Sequence, residues 1–202
     1  MHPKSELNER RALRRELRAR RIALGPAARQ RANERIRSHL AFSHWLRRGR
    51  LIGLYASMAD EVDTVGLRAL CRARGCAVYL PRITDYGERH MRFCRDRGAP
   101  LGISRMGIGE PGLRESVAAR WLSLILLPIL GFDALGTRLG YGGGFYDRDL
   151  AFRLERPAPP LLIGIAYGCQ ELAQLARAAH DVALDGIVTE QGIRWFGRTG
   201  VT

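Results

Sequence analysis

Four glycines fall within five positions at Gly140, Gly142, Gly143 and Gly144, with Arg138 just before them and Asp147 just after. Glycine loses the most backbone entropy on ordering, so such a cluster makes a poor helix and a poor strand. It does let several backbone N–H groups turn toward one bound anion with no side chain in the way. The apolar run 122–127 precedes the loop and reads as a strand buried on both faces. Phe145-Tyr146-Asp147-Arg148 follows at helical spacing. Strand, glycine loop and helix start together predict a phosphate cradle, the plain alternative for the glycines alone being a surface turn.

The loop belongs to neither of the two common phosphate motifs. No Gly-Lys-Ser/Thr follows the glycines, and the dinucleotide fingerprint would need glycine where Phe145 stands. Asp147 is spaced to bind a nucleotide-carried Mg²⁺ or, equally, to cap the helix. Asp181 offers a second carboxylate for metal, and Asp185 competes for that role or merely turns the chain. Asp60-Glu61 lies beyond the first strand, where a carboxylate can receive substrate N–H groups or orient a reacting centre. The plainer reading there is that Asp63-Thr64 starts a helix and Glu61 is solvated. The five histidines are scattered and the four cysteines have no zinc-ligand spacing, so reduced cysteines are expected.

These residues need a frame. Leu7, Leu13, Leu17 and Leu24 among arginines predict an amphipathic helix over 6–24, ended by Gly25-Pro26. A second helix is predicted over 26–48, burying Ile36, Leu40, Phe42 and Trp45. Strand 51–56, helix 64–74, strand 77–80 and a short strand at 91–93 follow, then a mostly irregular stretch with weak helix near 114–120. After strand 122–127 and the glycine loop come a helix to about 154, a turn at 156–160, strand 161–166, helix 171–179 and strand 185–190. Alternation of strands and helices predicts a three-layer, doubly wound, mainly parallel α/β sheet with helices on both faces. The whole chain, 1–202, reads as a single domain, with 1–48 a basic helical element packed on it. Ligands of such sheets sit beyond the carboxyl ends of strands, where the loop falls.

The 202 residues carry a formal charge of +13, and residues 1–50 supply +11 of it from 15 basic and 4 acidic side chains. Only Lys4 among the 33 basic residues is lysine. Charge gathered on one element calls for an anionic partner or a solvated face. No apolar run approaches the roughly 20 residues needed to span a bilayer. No apolar leader opens the chain, so a cytoplasmic location is expected. A monomer with neither membrane nor nucleic-acid partner is expected as well.

Several signatures in order resemble the 5-formyltetrahydrofolate cyclo-ligase family, also called 5,10-methenyltetrahydrofolate synthetase. They are Arg10-Arg11-Ala-Leu-Arg14, Ser57-Met-Ala-Asp-Glu61, Leu80-Pro-Arg82, Gly109-Glu110-Pro111, Leu127-Pro-Ile-Leu-Gly-Phe-Asp133, the run from Gly136 to Asp147, and His180-Asp181. The resemblance implies an enzyme that closes 5-formyltetrahydrofolate, with or without a polyglutamate tail, using ATP and Mg²⁺ and releasing ADP and phosphate. It implies that Arg10, Arg11, Arg14, Arg138, Leu139, Gly140, Tyr141, Gly142, Gly143, Gly144, Phe145 and Tyr146 hold ATP. By the same likeness Asp147 and Asp181 hold Mg²⁺, Ala56 and Glu61 contact the folate, and Arg138 and Glu61 act in catalysis. Arg10 stands where the family commonly has lysine, and Phe145 where it usually has tyrosine. Two other classes remain: a basic nucleic-acid-binding protein, and a sugar-phosphate or acyl-CoA enzyme of similar architecture that does not hydrolyse ATP.

Overall fold

The computed structural model describes residues 3–156 and 159–197. In chain order the elements are α1 (Pro3–Ala23), α2 (Gly25–Phe42), β1 (Leu51–Gly53), α3 (Val65–Ala73), β2 (Ala77–Asp85), β3 (His90–Arg95), β4 (Gly102–Ile103), β5 (Gly109–Glu110), β6 (Ser116–Val117), β7 (Leu124–Pro128), β8 (Gly131–Phe132), β9 (Arg138–Leu139), α4 (Phe145–Asp149), β10 (Leu161–Ile165), β11 (Gly186–Thr189) and β12 (Gly192–Trp195). Eight strands form the central sheet in the order β12-β11-β10-β7-β1-β2-β3-β6. Its inner pairings β2–β1, β1–β7, β7–β10 and β10–β11 are parallel, and β3, β6 and β12 add antiparallel edges. Counting the parallel strands alone gives the order 2-1-3-4-5. The direction of winding therefore reverses between β1 and β7, which is where such sheets open a binding crevice.

β7 explains why the sheet is covered on both sides. Leu124 and Leu126 join one core with Ile36 and Leu40 of α2 and Leu67 and Cys71 of α3. Ile125 and Leu127 join the other, with Phe93, Leu122, Leu150 and Phe132. Complete burial of such a side chain contributes about 1.5–3 kcal/mol, so this strand anchors the loop that leaves its end.

α1 packs elsewhere, over the crevice end of the sheet. Leu17 is completely buried against Leu139 of β9 and Leu175, with Leu13 packed beside it, an apolar anchor on a helix otherwise rich in arginine. Leu17→Ala is expected to cost about 2–5 kcal/mol through lost burial and the cavity left behind. The urea midpoint measures it, and a change under 1 kcal/mol would mean that α1 is docked by its charges instead.

Several expectations need correction. Helix 171–179 is absent: a 3-10 turn at Gly168–Gln170 leads into extended chain. Leu172 and Leu175, spaced as on a helix, instead face α1, and their amides donate to Phe132 O (2.9 Å) and Asp133 Oδ2 (3.0 Å). Tertiary partners therefore took the donors a helix would have used. α2 ends at Phe42, six residues early, where Ser43 Oγ donates to Leu40 O at 2.7 Å. Phe42 is 90% exposed, while Trp45 reaches the core from the following turn. The weak helix near 114–120 is β6 and a 3-10 turn at Ala119–Trp121. The helix after the glycine loop breaks at Asp149 and resumes only as a 3-10 turn at Ala151–Arg153. β2 runs on through Pro81 to Asp85, forming with β3 a hairpin longer than expected. β12 was not foreseen. Of the turn expected at 156–160, residues 157 and 158 lie outside the described residues.

Candidate active site

The segment between β7 and α4 is held in place by its own hydrogen bonds. Asp133 is buried, and its Oδ1 accepts the amides of Leu135 and Thr137, both at 2.9 Å. β8 and β9 then pair antiparallel, setting Phe132 opposite Arg138. Gly136 has φ +79°, and a methyl there would come within 2.9 Å of Leu184 O, so only glycine fits. Arg138 emerges from this hairpin already fixed. Its side chain is 4% exposed, Nε donates to Val182 O at 3.0 Å, and Nη2 pairs with Asp147 Oδ1 at 2.5 Å.

The glycines leave their backbone open. Gly142 and Gly144 have φ of +95° and +71°, conformations that L side chains rarely adopt. None of the amides from Gly140 to Gly144 finds an acceptor among the described residues. Above Gly142 lies Arg14, whose guanidinium carbon would be 3.1 Å from an added methyl, and whose Nε donates to Gly140 O at 2.9 Å. Burial first, then the charges of Arg10 and Arg11, pull the Arg14 guanidinium below its usual range. Arginine stays charged even so. The cluster is thus a concentration of positive charge that a polyanion would relieve.

Which arginines of α1 face inward follows from helical phase. Arg10, Arg14 and Arg21 share a stripe with Leu17, at offsets of four, seven and eleven residues. Arg10 Nη2 donates to Ala176 O (3.0 Å) and to Asp181 Oδ2 (3.5 Å). Arg21 is only 1% exposed, with Nη1 donating to Tyr141 Oη (2.6 Å) and Nη2 to Asp60 Oδ2 (2.5 Å). Arg11 is exposed and reaches the loop only through its charge on Arg14. Arg21 lines the crevice unannounced by composition, since one arginine among many carries no mark until the helix is phased by Leu17 and its partner Asp60 is found.

Tyr141 joins the two sides of the crevice. Its hydroxyl accepts from Arg21 and donates to Glu61 Oε1 across the switch point. Glu61 is 7% exposed, not solvated, and its Oε2 accepts Met58 N at 2.8 Å. Burial pushes the Glu61 carboxyl up, although Tyr141 and the Met58 amide favour its charged form. For Asp60, burial would also raise the carboxyl, but Arg21 and then Arg18 outweigh it and hold it low. One carboxylate is thereby kept ionised beside a second whose proton is easier to keep. The Tyr146 hydroxyl, near enough to feel the Glu61 charge, is buried without a partner among the described residues, and burial raises its pKa. An unsatisfied buried hydroxyl costs about 1–3 kcal/mol, which a bound ligand atom would remove.

The remaining expected residues divide clearly. Leu139 is a core side chain whose carbonyl accepts Leu130 N at 2.8 Å. Phe145 is half-buried, and Tyr86 stands edge-on to its ring. A methyl on Gly143 would press on the Phe145 ring at 2.8 Å. Ala56 borders Gly109 at the end of the β1 segment. Asp147 Oδ1 also takes Val182 N at 3.4 Å, so Asp147 stands beside the segment that carries Asp181. Asp181 Oδ2 accepts Ala178 N at 2.8 Å. Among the described residues no group of three or more His, Cys, Asp or Glu side chains could hold a metal alone. Two oxygen donors beside an open glycine loop do fit Mg²⁺, which binds through one or two carboxylates plus substrate phosphates and water. No helix among the described residues is long and apolar enough to cross a membrane. All four cysteines are free, and burial pushes Cys71 up to about 12.

A glycine-lined, arginine-ringed crevice at the switch point of a mainly parallel sheet is the architecture of a phosphate-using α/β enzyme. Comparison with known proteins narrows the class. The model of the 5-formyltetrahydrofolate cyclo-ligase family matches residues 6–190, and the chain belongs to that family. It is 30% identical over 183 residues to the 5-formyltetrahydrofolate cyclo-ligase of Haemophilus influenzae, covering 89% of this chain and 97% of that one. The Escherichia coli K12 enzyme of the same name is 29% identical over 176 residues, 86% of this chain and 96% of its own. The solution structure of Aquifex aeolicus 5,10-methenyltetrahydrofolate synthetase superposes with a TM-score of 0.80 at 30% identity, covering 96% of this chain and 95% of that one.

Proposed function

We propose that this chain closes 5-formyltetrahydrofolate to 5,10-methenyltetrahydrofolate with ATP, releasing ADP and phosphate in the cytoplasm. The observation that carries the reading is the Tyr141 hydroxyl, bonded to Glu61, which ties the phosphate loop to a carboxylate beyond the neighbouring strand. Two reactants could then meet across one crevice.

The chemistry asks for little beyond placement and charge. A formamide oxygen is a weak leaving group. Its attack on the γ-phosphorus forms an O–P bond as the bond to ADP breaks. The second folate nitrogen then attacks the formyl carbon, the C–O bond breaks, phosphate leaves and that nitrogen loses its proton. Arg14, Arg138 and the loop amides would hold the phosphates, positioning and neutralisation being what phosphoryl transfer requires. Mg²⁺, when bound, would draw charge from the β- and γ-phosphates, and Asp147 and Asp181 are the residues that would hold it. Glu61, with its raised pKa, is suited to accept the ring-closing proton. Ala56 would border the folate, and Tyr146 would offer its unpaired hydroxyl to a ligand. Basic residues of α1 turned toward this loop favour a small polyanion over nucleic acid.

The test follows methenyl-folate absorbance on mixing the protein with 5-formyltetrahydrofolate, with and without Mg-ATP. Nucleotide-dependent growth of the band is expected, and its absence with both substrates present would reject the reading. Asp147→Asn is expected to raise the Mg²⁺ needed for half-maximal turnover about tenfold, as for a weakened ligand set. An unaltered metal titration would leave Asp147 only its pairing with Arg138.

A further inference from the structure

The hairpin of β2 and β3 carries an arginine that no step above uses. Its tip is held on α4 from several directions. Asp149 Oδ2 accepts Met91 N at 2.8 Å and Oδ1 faces His90 Nδ1 at 3.1 Å. Glu88 pairs with Arg148 at 2.9 Å, and the Tyr86 ring stands edge-on to Phe145 with centroids 6.4 Å apart. Asp85 Oδ1 accepts the amides of Gly87 and Glu88 at 2.8 and 2.9 Å, closing the turn. The acidic groups nearby are therefore engaged. Arg89 itself forms no ion pair with the described residues, and it stands at φ +58°. That left-handed conformation is one that side-chain-bearing residues rarely adopt, and such strain concentrates where a side chain must be aimed.

The side chain lies over the glycine loop. A methyl built on Gly144 would meet Arg89 Nη1 at 3.2 Å and Cδ at 3.8 Å, just as one on Gly142 would meet Arg14. Two guanidiniums thus reach the same loop from separate elements, Arg14 from α1 and Arg89 from the hairpin, over the two left-handed glycines.

We propose that Arg89 is a further nucleotide-binding residue, a charge clamp on the terminal phosphates opposite Arg14. This rests on the reading of residues 140–144 as a phosphate loop. The exposed guanidinium would gain an anionic partner on nucleotide binding and hold the phosphate chain between two cations. It would leave adenine and folate contacts untouched. An arginine suits this better than a lysine, because its planar fork presents paired donors to phosphate oxygens.

The test separates charge from backbone. Arg89→Asn keeps a residue tolerant of the left-handed turn, and Arg89→Gly relieves that strain altogether. Both are expected to raise the KM for ATP and the Kd for ADP about tenfold, the size of one partly screened charge-assisted contact. The KM for 5-formyltetrahydrofolate and the Kd for adenosine should stay within twofold of the unaltered protein. Arg89→Lys should recover part of the loss, and the deficit should shrink as salt is raised. ATP and ADP affinities unchanged in both neutral variants, beside a parent protein that binds ADP normally, would overturn the clamp alone. A parent protein that binds no ADP would overturn the phosphate loop and the clamp together.

Discussion

Arg138→Ala is expected to lower kcat by more than about 100-fold, the scale of losing a charge partner made in the transition state. The residue is aimed by the β8–β9 hairpin and held by Val182 O and Asp147, so its position is set by the protein's own groups. Truncation removes more than a charge. It strips a buried carbonyl of its donor and frees Asp147 from its partner, with a stability cost of about 1–3 kcal/mol. Circular dichroism of the variant isolates that part from the catalytic loss. Arg138→Lys keeps the charge but replaces the planar fork, whose Nε and Nη2 each reach one acceptor, with a single nitrogen, and an intermediate kcat is expected. A kcat within twofold of the parent in the folded Ala variant would remove Arg138 from the phosphate site.

Glu61→Gln is expected to cost about 10²–10⁴ in kcat, the contribution of one positioned acid–base group. It should also make the protein more stable at neutral pH. The sign follows from linkage: the Glu61 carboxyl is raised in the fold, so the native state binds the proton more tightly than the unfolded chain. Its contribution is fully present below the unfolded pKa and is lost as pH rises through the higher folded value. Glutamine cannot ionise, and the variant should lack that decline. Thermal melts of both proteins from acid to neutral pH measure it. Melting temperatures that stay parallel would show that Glu61 ionises in the fold as freely as in water. Greater stability joined to lost turnover is what a carboxylate strained for chemistry predicts.

Some of this was legible in the residues and some was not, for physical reasons. β7 could be read because both of its faces are buried, and an uninterrupted apolar run has few other uses. The glycine loop could be read because only glycine gives an open backbone there. Arg138 and Glu61 are marked by their places beside the glycine loop and beyond the first strand, Arg10 and Arg14 only by the resemblance, and the structure brings all four to one crevice. Arg11 was named with them but points outward. Arg21 shows in no local pattern, since its pairing with Asp60, a carboxylate the sequence does offer beyond the first strand, spans 39 residues. Segment 171–179 misled because its leucines keep helical spacing while Phe132 and Asp133, four decades of sequence positions away, take its amides. β12 escaped notice because it exists only as the antiparallel partner of β11.

The central claim is that a phosphoryl group passes from ATP to the formyl oxygen across this crevice. Turnover of 5-formyltetrahydrofolate labelled with ¹⁸O in the formyl group tests it most directly, by mass analysis of the released phosphate. One ¹⁸O atom in each phosphate per methenyl-folate formed is the predicted result. Unlabelled phosphate released in equal amount to methenyl-folate would contradict it.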